Sequence, residues 1–177
     1  MGPCSLLSIL IVIDTLLLFC YRYKALLVER EAMADYLQSK LHEVAAKHNE
    51  RVLSSPNNRI SYGVTLDSFA GEGDETYLGS MLFTRSVSGT RVVPRGKTSN
   101  ICGIAYEGFG SSHPAYPHSY MTAAAAIGGT RAEVDRFVET LDKTMAAFKQ
   151  KQAKEGAKVE KRAASMPDGN SGAPAET

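Results

Sequence analysis

Residues 5–19 are almost entirely apolar, broken once by Asp14. The pattern then thins to a stripe. Leu26, Leu27, Met33, Ala34, Leu37, Leu41, Val44 and Ala45 recur at helical spacing between Tyr23 and Asn49, which predicts a long helix with one apolar face. Glu29, Glu31, Asp35, Lys40, Glu43 and Lys47 supply its wet face. After a polar turn at 54–58, residues 60–66 alternate with a period near two and are rich in strand formers, predicting a half-buried strand. Residues 70–75 (AGEGDE) form a loop, and Asp74 is placed to cap a helix running to about Phe83. Residues 91–93 and 101–106 are strand-like. Pro94, Gly96, Lys97 and Asn100 between them predict a hairpin-type connection. A dense Gly, Ser, Pro and His loop covers 108–119. Pro117 then opens a predicted helix over 121–127, which Gly128-Gly129 ends. Thr130 and Glu133 make a capping box. Val134, Phe137, Val138, Leu141, Met145 and Phe148 continue as a helical stripe. From Gln152 the apolar period fades, and Gly, Pro, Ser and Ala predict a disordered tail.

This order predicts an α/β layer, a small mixed sheet covered by helices. Three regions follow: an apolar helix at 1–22, a domain at 23–150, and a basic then disordered tail at 151–177. The first region has two readings. A membrane span needs roughly 20 apolar residues. This run is shorter, carries Asp14, and has no Lys or Arg before it, so a helix buried between subunits or domains is the favoured reading and an anchor the alternative.

The formal net charge of +1 gives the 177-residue chain no global field toward nucleic acid or membrane, so any basic site is local. Cys4, Cys20 and Cys102 are odd in number and lack zinc spacing. They are expected as buried or half-buried free thiols in a reducing, cytoplasmic setting. His42 and His48 are expected at the surface or boundary of the first helix. Asp14 and Asp67 stand alone in sequence. No metal is indicated. The acids of 71–74 (GEGD) have the wrong sign for a phosphate cradle, and no catalytic set is visible.

Two arginines frame a Ser-Gly turn: Arg85 closes a helix and Arg91 opens a strand. A guanidinium offers a planar fork of donors to phosphate or to a guanine edge. At a helix end it also complements the dipole, and both readings of Arg85 stay open here. Lys149, Lys151, Lys154, Lys158, Lys161 and Arg162 form a basic run diluted by Glu155 and Glu160. This run reads either as a solvated helix end or as a phosphate contact.

Several blocks occur in a distinctive order: Tyr23, Leu26, Leu27, Glu29 and Arg30; Asn49, Glu50, Arg51 and Leu53; Ile60-Ser61; the uninterrupted 78–93; Gly108-Phe109; Tyr116-Pro117; and 123–128. Together they resemble the eukaryotic and archaeal O-phosphoseryl-tRNA(Sec):selenium transferases. The resemblance implies the small C-terminal domain of a fold-type-I pyridoxal-phosphate enzyme. That enzyme converts O-phosphoseryl-tRNA(Sec) to selenocysteinyl-tRNA(Sec) with selenophosphate. It also implies tRNA(Sec) as partner and a homotetramer. Arg85 matches the family arginine that reaches the discriminator guanine; Arg91 matches a basic position with no assigned contact. A family lysine that meets the acceptor arm falls on Gln150, which makes the flanking Lys149 and Lys151 the candidates. The Schiff-base lysine and the phosphoserine-binding arginines match nothing in this chain, Lys24 included, so it is expected to be inactive alone. Residues 1–20 are expected to depart from the family's more polar segment. The alternatives are a non-catalytic RNA-binding module using Arg85 and the terminal lysines, and a membrane-tethered accessory protein.

Overall fold

The computed structural model describes residues 3–69, 75–111, 113 and 115–164. The apolar run and the amphipathic stripe form one continuous helix, α1 (Pro3–Lys47), so the boundary drawn at 22/23 falls inside it. A short strand follows, β1 (Ser61–Thr65), then a 3-10 turn at Asp67–Phe69 and helix α2 (Glu75–Thr84). Strands β2 (Arg91–Val93), β3 (Ser99–Ile101), β4 (Ile104–Tyr106) and β5 (Tyr120–Ala124) lead into the last helix, α3 (Arg131–Ala164).

The main sheet has the order β1-β5-β2, with both pairings antiparallel. Helices cover it, as the α/β expectation required. Leu37, Leu41 and Val44 of α1, Leu78 and Leu82 of α2, and Leu141, Met145 and Phe148 of α3 are all buried. They close on Val64 and Met121 of the sheet in one apolar cluster. The two helical stripes read from the sequence are thus the core-facing surfaces.

The helix predicted over 121–127 is instead the central strand. Alanine favours helix locally, but β5 bonds to a neighbour on each side, with Met121 opposite both Val64 and Val92. Met121 and Ala123 are buried while Thr122 and Ala124 are not. That period of two reflects tertiary pairing overriding local propensity. The expected hairpin between 91–93 and 101–106 is corrected too, because β2 pairs with β5. The hairpin is β3–β4, and it turns at Cys102 (φ 52°) and Gly103 (φ 81°). Two successive left-handed residues make the tight loop whose twist suits a hairpin. Cys-Gly is a weak signal for such a loop, so 101–106 reads as one strand.

The burial expected of the cysteines and of His48 changes as well. Cys20 and Cys102 are exposed, one on the first half of α1 and one in the hairpin turn. His48 is buried at 8 % exposure, while His42 is exposed. Residues 10–26 of α1 are exposed, Phe19 at 67 %. Among the described residues no helix is long and apolar enough to cross a membrane. Helix α3 continues past Gln152, where the apolar stripe stops. The amide of Gln152 donates to the Phe69 carbonyl at 3.0 Å, so the period fades at a polar tertiary contact rather than at a helix end. The loop at 70–74, the Asp74 cap and the tail at 165–177 lie outside the described residues.

The capping box is present. The Thr130 N–H donates to the Glu133 carboxylate at 2.8 Å, and the Glu133 N–H donates to Thr130 Oγ1 at 3.3 Å. Removing the hydroxyl in Thr130→Ala is expected to cost about 1 kcal/mol. Urea denaturation reads this directly; a midpoint equal to the parent's would contradict it.

Candidate nucleic-acid interface

The end of α2 fixes the position of Arg85. Ser86 adopts a left-handed φ of 62°. The Val87 N–H donates to Leu82 O at 3.0 Å, and the Ser86 N–H donates to Phe83 O at 3.1 Å. These are the two bonds of a Schellman stop, accompanied by apolar contact across the turn. Leu82 and Val87 both join the core cluster. Arg85 is therefore the capping residue just past the end of α2, carried outward on a turn anchored from within.

The Arg85 side chain is exposed, and Nη1 donates to the Met81 carbonyl at 3.0 Å. This contact satisfies a helix-end carbonyl, the dipole role anticipated above. It engages one nitrogen of the fork and orients the rest. Among the described residues Arg85 forms no ion pair. It lies on the wall of a cleft of about 750 Å³ between the end of α2, the end of β5 and the start of α3. Ala125, Gly128, Arg136 and Phe137 share that wall.

The other candidate cations are placed elsewhere. Arg91 Nη2 donates to the Gly110 carbonyl at 2.7 Å and so holds the loop before β5. Lys149 turns inward: Nζ donates to the His48 carbonyl at 2.6 Å and sits 4.8 Å from the Phe69 ring centre. Lys151 is exposed with its ammonium 3.8 Å from the centre of the Tyr77 ring. Tyr77 stands at the far end of α2 from Arg85, about 12 Å away along the helix axis at 1.5 Å per residue. Arg85 is thus not brought together with either lysine.

Two histidine–carboxylate pairs escaped sequence reasoning because their members lie far apart along the chain. Asp67, read as isolated, accepts from His118 Nδ1 at 2.7 Å, while His118 Nε2 meets Arg51 Nη2 at 2.6 Å. Arginine can only donate, so Nε2 accepts and Nδ1 carries the proton. With both nitrogens committed, His118 is a clamp joining three loops and offers no free base. His48 Nε2 meets Asp142 Oδ1 at 2.7 Å, and Lys47 reaches the other oxygen at 3.2 Å.

Burial alone pushes the Asp142 carboxyl up, but the hydrogen bonds from His48 and Lys47 outweigh it and hold it below its ordinary value. A depressed carboxylate stabilises the fold above its unfolded-state pKa, and that stability is lost as pH falls through the folded value. The fall in urea midpoint from about pH 5 to pH 2.5 is therefore expected to shrink in Asp142→Asn. An unchanged acid limb would contradict this account of the α1–α3 junction.

Pyridoxal phosphate needs an amine positioned for Schiff-base formation. No lysine lines the cleft, and the ammonium groups of Lys149 and Lys151 are engaged as described. This cleft does not fit the cofactor.

A small antiparallel sheet under long helices, with an arginine-lined cleft at one end, defines a small α/β domain. The same fold occurs in the crystal structure of an archaeal O-phosphoseryl-tRNA(Sec) selenium transferase, with a TM-score of 0.55 and 20% identity, over 68% of this chain and 24% of that one. Sequence likeness narrows the class further. A sequence model described as O-phosphoseryl-tRNA(Sec) selenium transferase, SepSecS, matches residues 5–146. The chain belongs to this family. The O-phosphoseryl-tRNA(Sec) selenium transferase of Dictyostelium discoideum is 35% identical over 135 residues, covering 67% of this chain and 28% of its own. That of Caenorhabditis briggsae is 31% identical over 148 residues, covering 80% and 30%. The chain thus spans less than a third of the length of these relatives. The family match begins at residue 5 and so includes most of the apolar run, where residues 1–20 had been expected to depart from the family. It contains Arg85 and stops short of Lys149 and Lys151.

Proposed function

We propose that this chain supplies acceptor-end recognition of tRNA(Sec) in a selenium transferase that converts O-phosphoseryl-tRNA(Sec) to selenocysteinyl-tRNA(Sec), with Arg85 donating to the discriminator guanine. One observation carries the reading: a guanidinium at a helix end, exposed, without an ion pair among the described residues, on the wall of a cleft. The bond from Nη1 to Met81 fixes the plane of the group. Nε and Nη2 remain to face the O6 and N7 acceptors of a guanine, a pairing worth roughly 1–3 kcal/mol of discrimination. A fork held in place before binding loses less freedom than a loose one. Pyridoxal phosphate and the chemistry at the phosphoserine would belong to other residues of the complete enzyme.

Fluorescence anisotropy with a labelled tRNA(Sec) transcript tests the reading on the 177-residue chain. Arg85→Ala is expected to weaken binding about tenfold, the lower end of the guanine contact. Equal affinity of variant and parent would refute it. Binding indifferent to the discriminator base would mark a sequence-independent RNA binder instead.

A further inference from the structure

The Arg85 cleft contains a second arginine that sequence reasoning did not single out. Arg136 stands in the second turn of α3 and is exposed, and it lines the same cleft as Arg85. Among the described residues its guanidinium enters no ion pair and no side-chain hydrogen bond, and its charge acts on Glu133. Glu133 is the acid of the cleft, but its carboxylate is turned to the helix cap, accepting from the Thr130 N–H at 2.8 Å and the Thr130 hydroxyl at 2.9 Å. Those two bonds, with a smaller effect of Arg136, hold the Glu133 carboxyl below its ordinary pKa. The acid is therefore committed to Thr130 and leaves the Arg136 fork open.

Much of the rest of the cleft wall is apolar, with the hydroxyls of Ser86, Ser88, Thr90 and Thr140 among it. Ala123, Ala125, Ile127, Val134 and half-buried Phe137 contribute to it. The space of about 750 Å³ is an open groove rather than an enclosed cavity. Two arginine forks on an apolar wall suit a ligand with a flat aromatic part and an anionic part. An unpaired nucleotide has that chemistry: its base stacks on apolar or aromatic surface and its phosphate takes a fork of donors.

We propose that Arg136 is a second RNA-contacting residue, gripping a phosphate of the unpaired acceptor end while Arg85 reads the base. This inference rests on the acceptor-end reading above and adds a division of labour within the same cleft. A base contact changes preference at one position, whereas a phosphate contact weakens all sequences alike and contributes about one unit to the salt slope.

The test measures binding of the full 177-residue chain to tRNA(Sec) transcripts with guanine or adenine at the discriminator position, between 50 and 200 mM salt. Arg136→Gln is expected to weaken both transcripts about tenfold and to lower the slope of log K against log salt by about one. Arg136→Lys keeps the charge and is expected to keep most of the slope. Parent-like affinity and slope in Arg136→Gln overturn the inference, and so does a loss confined to the guanine transcript. If Arg85→Ala meanwhile abolishes guanine preference, the acceptor-end reading stands without Arg136. If Arg85→Ala also behaves as the parent does, both readings fall together.

Discussion

Replacing Glu50 with alanine is expected to remove about 3 kcal/mol of folding stability, as donors left without partners each cost roughly 1–3 kcal/mol. Glu50 is buried at 9 % exposure, just past the end of α1. Its carboxylate accepts the Thr65 hydroxyl, the Ser68 N–H at 2.7 Å and the Asp67 N–H at 3.2 Å. Thr65 ends β1, and Asp67 and Ser68 open the turn that leads to buried Phe69. One side chain thus fastens the exit of the long helix to the strand and the turn beyond it. Alanine leaves the buried Thr65 hydroxyl and two half-buried N–H groups without their acceptor. In a chain of this size the loss corresponds to a fall of about 10 °C in melting temperature. Glu50→Gln retains an acceptor oxygen and is expected to fall between the two. A melting temperature for Glu50→Ala within a degree or two of the parent's would show that the carboxylate is not the fastener described.

Glu50 also marks how far the sequence could be read. It stood out only as part of a block shared with a family, because its three partners lie 15 to 18 residues away and no local pattern announces them. The stripes of α1 and α3 were legible because an apolar residue every three or four positions has few other solutions. The Thr130–Glu133 cap was legible because both partners lie within one turn. The 121–127 segment was misread for the opposite reason. Its alanines favour a helix locally, and the ladders on both sides that decide for β5 come from residues about 30 and 60 positions upstream. The β3–β4 turn was hidden by Cys102, a side chain seldom found at positive φ.

The candidate site divides along the same line. Arg85 could be placed at the end of a helix because 78–93 reads as helix, turn and strand, and it lies there. Arg136 gave no signal. It occupies the wet face of a well-predicted helix, and only the fold brings it to the same cleft as Arg85. Lys149 shows the opposite case. A lysine in a basic run reads as solvated or ligand-facing, whereas its ammonium is spent on the His48 carbonyl. Lys149→Ala would remove a tie between α1 and α3, so a binding loss in that variant would not identify an RNA contact.

The second large effect is expected at Arg85 and concerns specificity more than affinity. A fork of donors fits the O6 and N7 acceptors of guanine, while adenine presents a donor where guanine presents O6. The parent chain is therefore expected to prefer a guanine discriminator by about tenfold or more, in keeping with 1–3 kcal/mol for such a pair. Arg85→Ala keeps the α2 end but removes every donor of the fork. It is expected to bind the guanine transcript about as weakly as the parent binds the adenine one, losing most of the preference.

The decisive measurement is the ratio of dissociation constants for adenine and guanine transcripts of tRNA(Sec), taken side by side for the parent chain and Arg85→Ala at one salt concentration. A helix-end guanidinium that reads the base predicts a ratio near ten or above in the parent, collapsing toward one in the variant. The same ratio in both proteins would contradict it, leaving Arg85 as a cap on its own helix.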